Sequence, residues 1–373
     1  MNRLDELDDI IKGQNEEPEI LIPAAPIKKT STGEDTDTLI ERLKGWNKSC
    51  RDLFIDIKNI TFHADDEDMY LCFEDKSVYA NDIYFKKDPE NPKDPKVLHA
   101  SKQFCKALGV PHGFFMKNRP TLKCNFVKTW QAGLNSDKPE KNQYIARIRE
   151  SKSVSMLRAL VPVSYCTLQN YELVSIIKET VPDINLEYVT GDNKDDINFH
   201  ARFLFNEGHR LFGDTPVQIG FILQSSELGD KPLTLDVALY DINRSIYFIN
   251  TYGTDPFFNS KYTGIQAKQI KDVFPSMVDR IKEEFQSMFE NVESVYRPIV
   301  AEDEALKVSK WSGVSAAFKK ALYHQISECG EDINNTWDFA GHMSLVAKDF
   351  DVTTRIKIER VAGRYLNLVF PRN

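Results

Sequence analysis

Between Phe212 and Gly229, apolar side chains fall at every second position: Val217, Ile219, Phe221 and Leu223. An extended chain turns successive side chains to opposite faces, so this period places all four on one face of a half-buried strand. Strand-like runs flank it at Ile184–Thr190, Phe199–Phe205, Pro232–Tyr240 and Ser245–Asn250. The short polar connections favour an antiparallel sheet. Downstream the period changes. Ile270, Val273, Phe274, Met277, Ile281, Phe285, Met288 and Phe289 recur every three or four residues, as in an amphipathic helix started or kinked near Pro275. Ser315–Ser327 and Thr336–Ala347 read as further helices, and Asn170–Thr180 as an earlier one with Gln169 or Asn170 near its N-cap. Strands grouped before helices predict an α+β fold, an antiparallel sheet with helices packed on it and a helix-rich C-terminal third.

Residues 1–38 are crowded with Asp and Glu and interrupted by prolines, which predicts a disordered acidic tail. Its apolar run Ile20–Ile27 suits a short motif that orders on a protein partner. Residues 39–373 are expected to form one α+β domain, opening with a helix near Thr38–Trp46. Leu53–Phe62 and Met69–Phe73 read as a β-hairpin around the acidic turn 64–68, Lys86–Lys96 as a surface loop, and Val97–Leu108 as a helix stopped by Gly109-Val-Pro111.

Several blocks occur in the order found in one family. They are Gly109–Phe115, the run from Leu157 to Leu173 with Arg158, Ala159, Tyr165, Leu168, Asn170 and Leu173, the segment Phe212–Gly229, Thr336–Ala347, and Glu359-Arg-Val-Ala-Gly363. In these the chain resembles the uncharacterised phage/plasmid-like protein family DUF932, over roughly residues 100–365. It departs from that pattern at Gln169, at Val161 and Pro162, and over Ile242–Gly253. The resemblance implies a phage or plasmid setting and supplies no reaction.

Function classes narrow further by exclusion. The 373 residues contain no apolar run near the ~20 needed to span a bilayer, and Met1–Glu6 lacks the apolar core of a signal peptide. Cytoplasmic residence is expected, in the host cell if phage-encoded, with no membrane partner. The six cysteines are scattered and form no C-x-x-C pair, so reduced thiols packed as small hydrophobes are expected. There is no Walker A loop, no G-x-G-x-x-G, no G-x-S-x-G and no H-E-x-x-H. No cofactor and no catalytic set is expected, and a non-enzymatic role is favoured. His63 beside Asp65–Asp68, and His200 with His209, are weak metal candidates; no metal site is assigned. Asp214 and Glu227 form the best carboxylate pair for a metal-dependent nuclease, unless they are turn residues bracketing a strand.

The net charge of −8 opposes nucleic-acid binding over the whole surface, but the charge is uneven. From Lys117 to Arg158 basic residues dominate and aromatic residues are interleaved. Lys117, Arg119, Lys123, Lys128, Arg147, Arg149, Lys152 and Arg158 are the candidate phosphate contacts; Phe126 and Trp130 are the candidate stacking platforms. Single-stranded nucleic acid is recognised by this mixture, because cations follow the phosphates while ring faces stack on bases. The favoured expectation is an accessory protein contacting single-stranded nucleic acid in replication or recombination. The alternative is a phage assembly or host-interaction protein, acting through protein contacts that include the acidic tail.

Overall fold

The computed structural model describes residues 35–64, 69–73, 83–84, 95–134, 142–150, 155–165, 168–190, 198–212, 214–250, 258–260, 267–283, 285–311, 314–329 and 332–368. Helix α1 (Thr36–Asn47) comes first. Asp35 caps it, the carboxylate accepting from the Thr38 amide at 2.7 Å, so the helix starts inside the expected tail limit of 38. The tail residues 1–34 lie outside the described residues.

The strand expected over Leu53–Phe62 is in fact two. β1 (Cys50–Asp56) and β2 (Ile60–Ala64) are divided by one 3-10 turn at Ile57–Asn59. Asp56 accepts from the Lys58 amide at 2.9 Å, and Nε2 of Gln131 reaches the carbonyls of Ile57, Lys58 and Ile60 at 2.8, 2.8 and 2.9 Å. The break is therefore tolerated, because the backbone groups it frees find partners. β2 forms the expected hairpin with β3 (Met69–Phe73), Ile60 opposite Phe73 and Ala64 opposite Met69. The acidic turn 65–68 and most of the loop expected at Lys86–Lys96 lie outside the described residues.

After β4 (Ile83–Tyr84) come three helices, α2 (Pro95–Leu108), α3 (His112–Lys117) and α4 (Pro120–Ala132). α2 stops where Gly109 takes φ +73°, which lets the Val110 amide bond back to the Cys105 carbonyl at 2.8 Å. Pro120 opens α4, a position where a missing N–H has no helical partner to lose. β5 (Gln143–Glu150) and β6 (Ser155–Pro162) complete a sheet of order β1-β5-β6-β4-β3-β2, antiparallel except for β4 against β6. Phe104, Leu108, Phe115 and Val127 of the helices are buried against Phe62, Ile148 and Leu160 of this sheet.

Helix α5 (Asn170–Thr180) falls where the sequence places it, with the Gln169 amide donating to the Glu172 carboxylate at 2.7 Å. The second sheet runs β11-β10-β9-β8-β7, all neighbours antiparallel as expected: β7 (Asn185–Thr190), β8 (Phe199–Leu211), β9 (Thr215–Ser225), β10 (Leu233–Asp241) and β11 (Ile246–Ile249). A short β12 (Phe258–Ser260) pairs with the start of β10. Six helices follow: α6 (Ala267–Glu283, with Pro275 inside it), α7 (Phe285–Ser294), α8 (Ala301–Ser309), α9 (Ala316–Cys329), α10 (Thr336–Val346) and α11 (Val352–Tyr365).

The expectation of a half-buried β9 needs correcting. Val217, Ile219, Phe221 and Leu223 do face one core, but Ile222 on the opposite face is equally buried, as is all of β10. The second face is covered by α11, whose Ile356 packs with Leu204, Ile222, Ala238, Tyr240, Tyr247 and Ile249. Contact is close enough that a Cβ on Gly363 would lie 1.9 Å from the Ile249 carbonyl oxygen, so only glycine allows the helix to cross β11 there. Between α11 and the sheet lies a layer of paired charges. Arg202, fully buried, donates to both Glu359 oxygens at 2.8 and 2.7 Å; Arg355 Nε adds a third bond at 2.9 Å; and Arg360 meets the buried Asp236 at 2.7 Å.

Candidate nucleic-acid interface

The local charge balance in residues 95–134 differs from that of the chain. The segment holds Lys96, Lys102, Lys106, Lys117, Arg119, Lys123 and Lys128 and no Asp or Glu, a formal +7 within a chain of −8. These residues make α2, α3 and α4. Buried Phe115 anchors α3 through Phe104, the ring centroids 5.9 Å apart, and Lys123 Nζ lies 5.2 Å from the Phe115 ring centre. A row of three rings runs across the outer side. Phe114 of α3 meets Phe126 of α4 edge-on at 4.7 Å, and Phe126 meets Trp130, one turn on, at 5.8 Å. Such edge-to-face contacts hold rings in fixed orientation. Phe114 is 43% exposed and Leu122 is also exposed, whereas Phe126 and Trp130 are half-buried.

Lys117, Arg119 and Lys128 are exposed beside these rings, and among the described residues none of the three pairs with a carboxylate. Lys123 is half-buried. His112, at the start of α3, shares a hydrogen bond with Ser101 Oγ at 2.9 Å. Burial, and then the positive fields of Lys102 and Lys123, hold its pKa below the ordinary histidine value.

Two of the expected phosphate contacts are elsewhere. Arg147 is 1% exposed in β5, a strand enclosed between β1 and β6. Its Nε donates to Asp52 at 2.9 Å and its Nη1 to the Glu227 main-chain carbonyl. Arg158 is buried in β6, with Nη1 3.1 Å from Cys50 Sγ, Nη2 3.8 Å from Glu227 Oε2, and its guanidinium 5.2 Å from the Trp46 ring centre. Neither guanidinium is open to a strand of nucleic acid, and both residues are removed from the interface. Arg149 is half-buried opposite Cys50 and Met156; Lys152 lies outside the described residues.

The carboxylate pair is also dispersed. Asp214, almost fully exposed and 3.1 Å from Arg210, stands before β9, and Glu227 stands beyond its other end. Eleven strand residues separate them, roughly 35 Å of rise, so they cannot share a metal ion or a proton. Glu227 is instead the hub between the two sheets. Its Oε1 accepts from the Asn170 amide at 2.6 Å, Ser225 Oγ donates to Asn170 Oδ1 at 2.7 Å, and Tyr165 OH donates to the Ser226 carbonyl at 2.7 Å.

Histidine and cysteine reinforce the picture. His200 is buried, accepting from Arg202 Nε at 3.1 Å, while His209 packs on Phe289; they do not form a site. Cys50, Cys105, Cys124 and Cys329 are free thiols, and burial pushes Cys105 up to about 12. Among the described residues no three His, Cys, Asp or Glu side chains gather as metal ligands, and no helix is long and apolar enough to cross a membrane. The chain matches no protein family, no curated protein and no solved structure.

Sequence reasoning missed Lys102 and Lys106, and it ranked Phe126 and Trp130 above the more exposed Phe114. A signal for the lysines was present: a run of forty residues without a carboxylate, inside an acidic chain.

Proposed function

We propose that this protein contacts single-stranded nucleic acid through the outer face of α3 and α4, as a non-enzymatic accessory protein of phage or plasmid replication or recombination. Lys117, Arg119 and Lys128 meet phosphates, with Lys123 behind them, and Phe114, braced by Phe126 and Trp130, offers the stacking edge. The observation that carries the reading is the coincidence of three exposed cations with exposed Phe114, the first of a row of three rings, on an acid-free helical unit. The phage or plasmid setting, and cytoplasmic residence with it, rest on the sequence blocks that resemble the DUF932 family. Fluorescence anisotropy of a labelled single-stranded oligonucleotide tests the proposal. Binding should weaken steeply with salt, and Phe114→Ala should cost about 1–3 kcal/mol of affinity. Binding by the Phe114→Ala variant equal to that of the wild type would remove stacking from the reading.

A second reading is favoured by one observation. β1 ends its sheet and carries Phe54, 77% exposed. An edge strand with an outward ring suits pairing with a strand of another protein, as an assembly or host-interaction protein would require. A complex that survives high salt and is lost on Phe54→Lys would favour it.

A further inference from the structure

A cleft of about 710 Å3 lies between α2, the end of β6 and the turn at Gly229–Pro232. Its size falls within the roughly 300–1,000 Å3 typical of small-molecule sites. It is separate from the ring row on α3 and α4. One wall is apolar, built by Leu160, Val161 and Pro162 with the ring of Tyr144. The facing main chain approaches closely: Gly229 has φ +76°, and a Cβ there would lie 3.2 Å from Val161 and 3.3 Å from Tyr165. The Gln103 side chain fixes the frame, donating to the Leu228 carbonyl at 2.7 Å and accepting from the Leu160 amide at 2.9 Å.

The polar lining is cationic. Lys102 and Lys106 stand one turn apart on α2, and Lys231 comes from the turn. Two ammonium groups four residues apart on a helix repel each other, and an anion between them relieves the repulsion. Lys231 Nζ donates to Thr353 Oγ1 at 2.8 Å and keeps two further protons for a ligand. Among the described lining residues the one carboxylate is Asp230, which accepts from Asn198 Nδ2 at 3.2 Å and lies 3.5 Å from His99 Nδ1. It does not touch Lys102 or Lys106.

We propose that this cleft binds a nucleoside 5′-phosphate, with the phosphate on Lys102 and Lys106 and the base against the Tyr144 and Leu160–Pro162 wall. A lone phosphate would leave that wall without a partner, and an uncharged ring would leave the lysines unpaired. The same chemistry is offered by a free mononucleotide and by the phosphorylated 5′ end of a strand. The site goes beyond the α3–α4 interface and stands or falls independently of it.

Isothermal titration of the full chain with adenosine 5′-monophosphate, adenosine, and a short oligothymidylate with and without a 5′-phosphate tests this. Adenosine should bind at least tenfold more weakly than its monophosphate, and Lys102→Glu with Lys106→Glu should lower monophosphate affinity at least tenfold per lysine, the size of a lost charged hydrogen bond. Ala107→Trp, which fills the cleft without changing charge, should abolish binding. Lys117→Glu with Lys128→Glu should leave it unchanged, even if oligonucleotide binding by the outer face fails altogether. Tight binding of the free monophosphate identifies a mononucleotide site. Binding of the 5′-phosphorylated strand alone, lost in the Lys102/Lys106 variant, identifies a strand-end site. No binding of either up to millimolar concentration, or equal binding by wild type and the Lys102/Lys106 variant, would overturn the proposal.

Discussion

The basic residues of this protein form two populations. Arg147, Arg158, Arg202, Arg355 and Arg360 lie within or against the two sheets, each bonded to or facing a carboxylate. Lys117, Arg119 and Lys128 lie on an acid-free helical surface. The first group costs desolvation that only close pairing offsets, and so belongs to the structure. The second stays solvated. Counting cations along the chain merges the two; topology separates them.

Variants can break or sharpen that contrast. The largest effect should come from Glu359→Leu, which leaves fully buried Arg202 and its neighbour Arg355 without their carboxylate. Urea denaturation should show a loss of about 3–5 kcal/mol. Gly363→Ala drives a methyl group into the Ile249 carbonyl and should lose about 1–3 kcal/mol in the same measurement. Arg147→Leu should cost about 1–3 kcal/mol as well, since Asp52 is partly solvated and only the Glu227 carbonyl loses a buried donor. Oligonucleotide binding by the folded fraction should be unchanged. Lys117→Glu, Arg119→Glu and Lys128→Glu together should leave stability within about 0.5 kcal/mol per site and weaken oligonucleotide binding.

His200 gives the contrast a pH signature. Burial, and then the charges of Arg202, Arg355 and Lys231, hold its folded pKa well below 6.5. Below that value the unfolded chain binds a proton that the folded chain refuses. The stability this group contributes is complete above pH 6.5 and falls by up to about 1.4 kcal/mol per pH unit as acid is added. His200→Gln should flatten that slope between pH 6.5 and 5. An unchanged slope would show that the histidine accepts its proton in the folded state.

Much of the fold is legible in the sequence because local pattern and tertiary context agree. The alternation of β9 points to a face that is in fact buried, and the three-to-four spacing does so at Phe274 and Ile281 of α6 and at Met288 and Phe289 of α7, whereas Val273 is exposed. The start of α5 follows from Gln169, which is its N-cap. Legibility fails where charges enter the sheet. Arg147 and Arg158 interrupt the apolar runs of β5 and β6, so those strands read as a basic surface segment. Glu359 and Arg360 read as a family motif, and nothing local shows that they face a sheet across α11. Hence β9 was expected to have one wet face. The sequence pattern does not mark α3, α4, α8 or α11 as helices. At the candidate site the composition was legible and the exposure was not: burial removes Arg147 and Arg158, and it favours Phe114 over Trp130.

The central claim is that nucleic-acid contact belongs to the α3–α4 face and not to the sheet arginines. The salt dependence of single-stranded oligonucleotide affinity tests it most directly, with wild type and the Lys117, Arg119 and Lys128 charge reversals measured side by side. Loss of three phosphate contacts should reduce the slope of log affinity against log salt by roughly 2. A slope equal to that of the wild type, or no binding by the wild type at low salt, would contradict the account.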